Sequence, residues 1–257
     1  MINKIKDINL KQLAILILLY RFRFLNTKQI QNSLGHKDPS TVQAWLADLV
    51  QKQYVYSNYE RNKFGKNTKP SVFHLLPKAI QVLKEHEDCD EKQLKKIYSE
   101  GERSEGFIND CLFIADMYLK LKDQGSKTTE VHFSTKVDLN GYDYFPNPLP
   151  DAYIALKEKR KTNRYFVLLL EEKAPKYAYL DKLKKYMDYL ETDEWKSNTK
   201  NAPFPSILVI CPDYPKKRFV ERYIKDNLPK EPLYLTTKNQ IRLKGIKSDV
   251  WENIGGN

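Results

Sequence analysis

Cysteine, histidine and glycine are scarce in this chain. Of 257 residues, only three are cysteine, four histidine and nine glycine. Cys89, Cys111 and Cys211 are far apart and odd in number, with no close pairing of the kind a zinc site or a disulfide framework needs. They read as small hydrophobes in a reducing, cytoplasmic setting. The histidines at 36, 74, 86 and 132 show no ligand spacing, and no glycine-rich loop is present to cradle phosphates. A nucleotide cofactor is therefore not expected. Long apolar runs are missing too. The run 13–20 is too short to span a bilayer, and Arg21-Phe22-Arg23-Phe24 stands where a leader peptide would carry small residues. A buried helix is expected there, and no membrane partner.

Acidic charge is the other shortage. The chain carries 44 Lys and Arg against 33 Asp and Glu, a net +11. Residues 1–86 hold 14 of those cations and only 5 of the acids, so +9 of the surplus sits in a third of the chain. Many soluble proteins are basic without a polyanionic partner. A surplus this concentrated points to double-stranded DNA.

The pattern of that basic third supports the same partner. Residues 10–25 step in apolar residues at helical spacing, and Asn26 offers an N-cap for a second helix, Thr27–Leu34, that ends at Gly35. Asp38-Pro39 starts a third helix, with Val42, Trp45, Leu46 and Leu49 inward and Ser40, Thr41 and Gln43 outward. Two strands, 54–59 and 71–75, flank a basic loop holding Arg61, Lys63, Lys66 and Lys69, and a helix over 77–86 closes the unit. Three helices and a two-stranded wing form the winged-helix variant of the helix-turn-helix. In that arrangement Ser40, Thr41 and Gln43 face base edges while the wing cations hold phosphates. The same unit also serves elsewhere as a protein-docking module. Helix-turn-helix proteins commonly read paired half-sites, so a homodimer is a further expectation.

Residues 87–104 are polar and charged and read as a linker or exposed helix. From 105 to 257 the order is helix, strand, strand, strand, helix, strand, an α/β (α+β) domain with a mixed central sheet. Its helices are expected from Glu105 to about Gly125, over 179–190 and over 216–227. Its strands are expected over 130–139, 152–156, 165–170, Ser206–Cys211 and Leu233–Thr237. A turn over 158–164 joins the two central strands. Alternation along the second of them puts Glu171 and Lys173 on one side, and Asp151 begins its neighbour. Two carboxylates and an ammonium beside an apolar sheet suit Mg²⁺ or Mn²⁺, with the ammonium set to neutralise charge on a reacting phosphate. Glu105 could add a carboxylate, and Lys182 and Lys185 could reach phosphate. Each has an ordinary alternative: a turn residue after Pro150, a charged strand end, a helix-start Glu favoured by the dipole, or a solvated helix face.

Pro150-Asp151 and Glu171-Glu172-Lys173, in this order of elements, resemble the PD-(D/E)xK nuclease superfamily. The resemblance implies a metal-dependent endonuclease with Asp151, Glu171 and Lys173 as its catalytic set. The wing leading into Val72-Phe73-His74-Leu75, Pro150-Asp151-Ala152, Leu170-Glu171, Lys182-Leu183 with Tyr186, and the run 204–210 are together similar to the replication-relaxation family of plasmids and integrative elements. That resemblance implies a role in replication, DNA relaxation or mobilisation, beside a relaxase or replication proteins. Its members often carry Glu-x-Asp where this chain has Glu171-x-Lys173, and a histidine where Asp110 stands here. A catalytically silent accessory factor or a transcription regulator is the alternative to a nuclease, since a fold alone does not fix activity.

Overall fold

A computed structural model describes residues 7–58, 70–124, 129–159, 161–228, 233–246 and 248–254. The chain divides into two compact units, residues 1–119 and 120–257. The basic segment holding Arg61, Lys63, Lys66 and Lys69 lies outside the described residues.

In the first unit, the helix ends follow from side-chain chemistry. Helix α1 (Leu10–Phe22) starts at Asn9, whose side chain accepts the Gln12 amide while the Gln12 side chain accepts the Asn9 amide. This reciprocal pairing satisfies two backbone donors that a helix start otherwise leaves open. Its apolar face buries Ile15, Leu16 and Leu19. A short strand, β1 (Leu25–Asn26), follows, and Asn26 caps α2 (Thr27–Leu34) through the same exchange with Gln29. Gly35, at φ 64, ends α2 in the left-handed conformation that glycine adopts without a Cβ clash. Helix α3 (Pro39–Gln51) has Asp38 as its N-cap and buries Val42, Leu46 and Leu49. Strands β2 (Val55–Asn58) and β3 (Val72–Leu75) complete an antiparallel sheet in the order β1-β3-β2. The sequence does not announce β1, because two residues are too few to show alternation.

Residues 77–86 form a 3₁₀ turn followed by the single helical turn α4 (Ile80–Leu83). The stretch read as a linker, 87–104, holds α5 (Glu91–Leu94) and a 3₁₀ helix (Lys95–Glu102), with Leu94 and Ile97 buried. Glu100 is buried there as well, receiving the Arg23 Nε at 2.8 Å. Burial pushes the Glu100 carboxyl up, despite the Arg23 and Arg103 charges beside it. Helix α6 (Glu105–Gln124) begins in this unit and crosses its boundary. Gln29 ties α2 to it by donating to Asp116 Oδ1 at 2.7 Å and to the Leu112 carbonyl at 2.8 Å.

The second unit is a six-stranded mixed sheet in the order β4-β5-β6-β7-β8-β9. Strands β4 (Thr129–Thr135), β5 (Ala152–Glu158) and β6 (Lys161–Leu169) are antiparallel. Helices α7 (Lys176–Leu190) and α8 (Glu194–Asn198) make the crossover to β7 (Ser206–Cys211), which runs parallel to β6. Helix α9 (Tyr214–Asn227) leads to the parallel β8 (Leu233–Thr237), and α10 (Lys238–Lys244) leads to the antiparallel edge β9 (Glu252–Asn253). Phe166, Leu168, Val209 and Leu235 from the sheet share one core with Leu183 and Tyr186 of α7 and Val220 and Ile224 of α9.

The central hairpin is tighter than the sequence suggests. Glu158 pairs with Lys161, and Lys159 adopts φ 53. Polar residues 157, 158 and 161–164 extend the two strands beyond the apolar core. Strand β4 is shorter than expected: Thr135 and Asp138 exchange backbone-to-side-chain hydrogen bonds and turn the chain into a 3₁₀ helix.

Candidate functional site

Asp151 precedes β5, its amide donating to the Val167 carbonyl at 2.9 Å. Its Oδ2 accepts the Leu169 amide at 2.8 Å, so the carboxylate is bonded to the end of β6. Lys182, one turn and a half into α7, places its ammonium 2.8 Å from the same oxygen and donates to the Leu169 carbonyl at 3.1 Å. Lys136 stands 3.9 Å from Oδ1. Burial pushes the Asp151 carboxyl up, but the Lys182 and Lys136 charges and the two hydrogen bonds outweigh it and hold the group below its ordinary value.

Glu171 and Lys173 are not on the strand. Strand β6 ends at Leu169, and residues 171–173 form an exposed turn whose Glu171 carbonyl receives the Ala174 amide at 3.3 Å. Strand alternation therefore does not place their side chains. The reason is Pro175, which cannot extend a strand and caps α7, leaving only a few residues to reverse direction. Glu105 begins α6 in the other unit. Among the described residues, no group of three or more His, Cys, Asp or Glu is arranged to hold a metal. Asp151 Oδ2 carries the Lys182 ammonium and Oδ1 has the Lys136 ammonium 3.9 Å away, so a dication placed there would meet two cationic side chains.

Three tyrosines on one face of α7 fix the surroundings. Tyr179 donates to the Glu171 carbonyl at 2.6 Å, Tyr186 to the Pro148 carbonyl at 2.9 Å, and Tyr189 to the Tyr144 carbonyl. Their rings lie in the core while each hydroxyl donates to a loop carbonyl. The sequence carried a signal for this in the seven-residue spacing of Tyr179 and Tyr186. Lys182 has the same signal, sitting on that face between them, where the sequence alone offers a phosphate contact or a solvated helix face. Lys185 points away, pairing with Asp181 at 2.8 Å on an exposed helix face, a contact worth about 0.3–0.5 kcal/mol.

In the first unit, the Ser40 and Thr41 hydroxyls donate to the Asp38 carboxylate, Ser40 at 2.8 Å and Thr41 at 2.5 Å. The Thr41 and Ser40 hydroxyls hold the Asp38 carboxyl down at about 2. Both hydroxyls are thus occupied with the helix start, a role that residue type alone did not separate from base contact. Gln43 and Ala44 stand exposed on α3, and Lys28 and Lys37 stand exposed on and just after α2. Lys52 and Lys78 belong elsewhere, paired with Asp48 and Asp7. Among the described residues no helix is long and apolar enough to cross a membrane.

The family model described as replication-relaxation matches residues 16–204. The chain belongs to the replication-relaxation family. The replication-relaxation match takes in α2, α3, Asp151 and Lys182, and stops short of β7. No curated protein matches the chain. Two solved structures of the restriction endonuclease FokI align with this replication-relaxation protein. One has a TM-score of 0.33 at 11% identity, covering 93% of this chain and 45% of that one. The other, bound to DNA, has a TM-score of 0.30 at 12% identity, covering 95% and 45%. The chain spans about half the length of both, and neither score is high enough to establish a shared fold.

Proposed function

We propose that this replication-relaxation protein is a DNA-binding accessory factor of a plasmid or integrative element that holds DNA without cutting it. The first unit is read as a winged helix that docks on duplex DNA. Support comes from the +9 charge of residues 1–86, the α2–turn–α3 pair, and the three-stranded sheet beside it. Exposed Gln43 sits on the N-terminal half of α3, where an amide side chain can pair with a base edge in the major groove. Lys28 and Lys37 provide phosphate contacts that set register and carry no sequence information.

The second unit is read as nuclease-like in plan and silent in chemistry. The observation that carries this is the Asp151–Lys182 pair. The carboxylate expected to hold a metal is already neutralised from within the protein, and the remaining motif residues lie in an exposed turn.

The test is a fluorescence-anisotropy titration of the full chain with duplex DNA across a range of salt. Log affinity should fall against log salt with a slope of about −3 to −5, corresponding to some four or five displaced phosphate counterions. EDTA should leave the curve unchanged. Salt-independent binding, or binding that requires Mg²⁺, contradicts the proposal.

A further inference from the structure

The second unit carries a groove at the end of the sheet opposite Asp151. Strand β6 extends four residues past Ser206, the first residue of β7, which pairs with Tyr165. Residues 161–164 are hydrogen-bonded to β5 on one side only, and no described strand covers the other. The groove opens there and runs up the sheet face that α7 and α9 do not occupy, past Ile154, Leu156 and Leu208. Its volume is about 1110 Å³. Small-molecule pockets typically run to about 300–1,000 Å³, so the space suits a short stretch of polymer.

Its lining has one sign of charge. Lys161 and Lys200 border it, Arg164 stands at its edge with its side chain bonded to Tyr153 on the other sheet face, and among the described lining residues there is no carboxylate. The rings of Tyr165, Tyr234 and Trp251, all half-buried, line the same groove. The Trp251 indole N–H donates to the Ile246 carbonyl at 3.1 Å, which fixes its ring against the groove wall.

We infer that this groove binds single-stranded DNA, with bases laid on Tyr165, Tyr234 and Trp251 and phosphates held by Lys161 and Lys200. The chemistry decides the class. A concave wall of partly buried rings offers faces to unstacked bases, which a paired duplex cannot present, and stacking of this kind is tolerant of sequence. The cations track the backbone. The inference rests on DNA being the partner, but it assigns a second, separate DNA site to residues outside the first unit. A protein with one site for duplex and one for a separated strand would be suited to an origin where the two meet.

The experiment uses the full chain with a fluorescein-labelled oligothymidylate and, in parallel, a labelled hairpin duplex. Lys161→Glu combined with Lys200→Glu changes two exposed side chains and leaves the core intact. This variant should lose about tenfold or more in affinity for the single strand. Its salt slope should flatten by about 1.4, at some 0.7 per lost contact. Duplex affinity should stay within about threefold. Tyr234→Leu, checked for folding by thermal melting, should weaken the single strand by about tenfold through lost stacking. Duplex binding without single-strand binding, or equal losses on both DNAs, overturns the inference and leaves the duplex proposal standing. Binding of neither DNA overturns both.

Discussion

Lys182 lies 2.8 Å from the Asp151 carboxylate and 3.1 Å from the Leu169 carbonyl, while the Leu169 amide donates to Asp151. One residue of β6 is thereby bracketed by both members of an ion pair, and α7 is docked to the sheet through charge as well as through its tyrosines. The side chains are about one-fifth exposed. Pairs in such settings are costly to break from one side, because the remaining partner keeps its desolvation cost without its neighbour.

A double-mutant cycle measures this directly. Asp151→Ala should destabilise the protein by about 2 kcal/mol, the loss expected for hydrogen bonds to a charged group. Lys182→Met should cost a similar amount, and the double variant less than the sum, with a coupling of about 1 kcal/mol or more. Urea unfolding of the four proteins gives the values. Additive losses would show that the two groups do not act as a pair.

The pair also predicts an acid dependence. The Asp151 carboxyl is held below its ordinary value of 3.8 in the folded protein. Its contribution to stability is therefore complete at neutral pH and is lost as pH falls through 3.8 towards the folded-state value. Asp151→Asn should be less stable than wild type at pH 7, and the gap should narrow below about pH 4. A gap that stays constant down to pH 3 would contradict the assignment.

Tyr186→Phe removes one hydroxyl and leaves the buried ring in place. The Pro148 carbonyl would lose its donor, at a cost of about 1–2 kcal/mol. Thermal melting should show the loss, and duplex DNA affinity should not change. An unchanged melting curve would mean that the carbonyl finds another donor.

Two substitutions separate reading from holding in the first unit. Gln43→Ala should alter which duplex sequences bind best, by about 1–3 kcal/mol at the affected base pair. Lys37→Ala should weaken all duplexes alike and reduce the salt slope by about 0.9. Uniform loss from Gln43→Ala, measured by competition among random duplexes, would remove α3 from the base-reading role.

Much of the architecture was legible because its signals are local. Asn26, Gly35, Asp38 and Pro39 mark helix ends by side-chain chemistry, and both Ser206–Cys211 and Leu233–Thr237 are apolar runs of strand length bounded by turns. What was missed depends on partners distant in sequence. Strand β1 exists because β3 pairs with it, and residues 87–104 are ordered by Tyr20, whose hydroxyl accepts the Asp90 amide at 2.8 Å, and by Arg23. The strand placement of Glu171 and Lys173 failed for the same reason. Glu171-x-Lys173 has the spacing of a strand motif, but β6 stops before it. The residue that meets Asp151 is 31 positions away on a helix, where a lysine is more often solvated.

Nicking of supercoiled plasmid DNA tests the central claim most directly. The full chain is incubated with plasmid bearing its own element's DNA in Mg²⁺, in Mn²⁺ and in EDTA, and bound DNA is measured in the same samples. The expected result is binding in all three with no conversion to nicked or linear forms, and the same outcome for Asp151→Ala. Metal-dependent conversion that EDTA suppresses and Asp151→Ala abolishes would show that the pair with Lys182 opens to admit a cation, and would contradict the account.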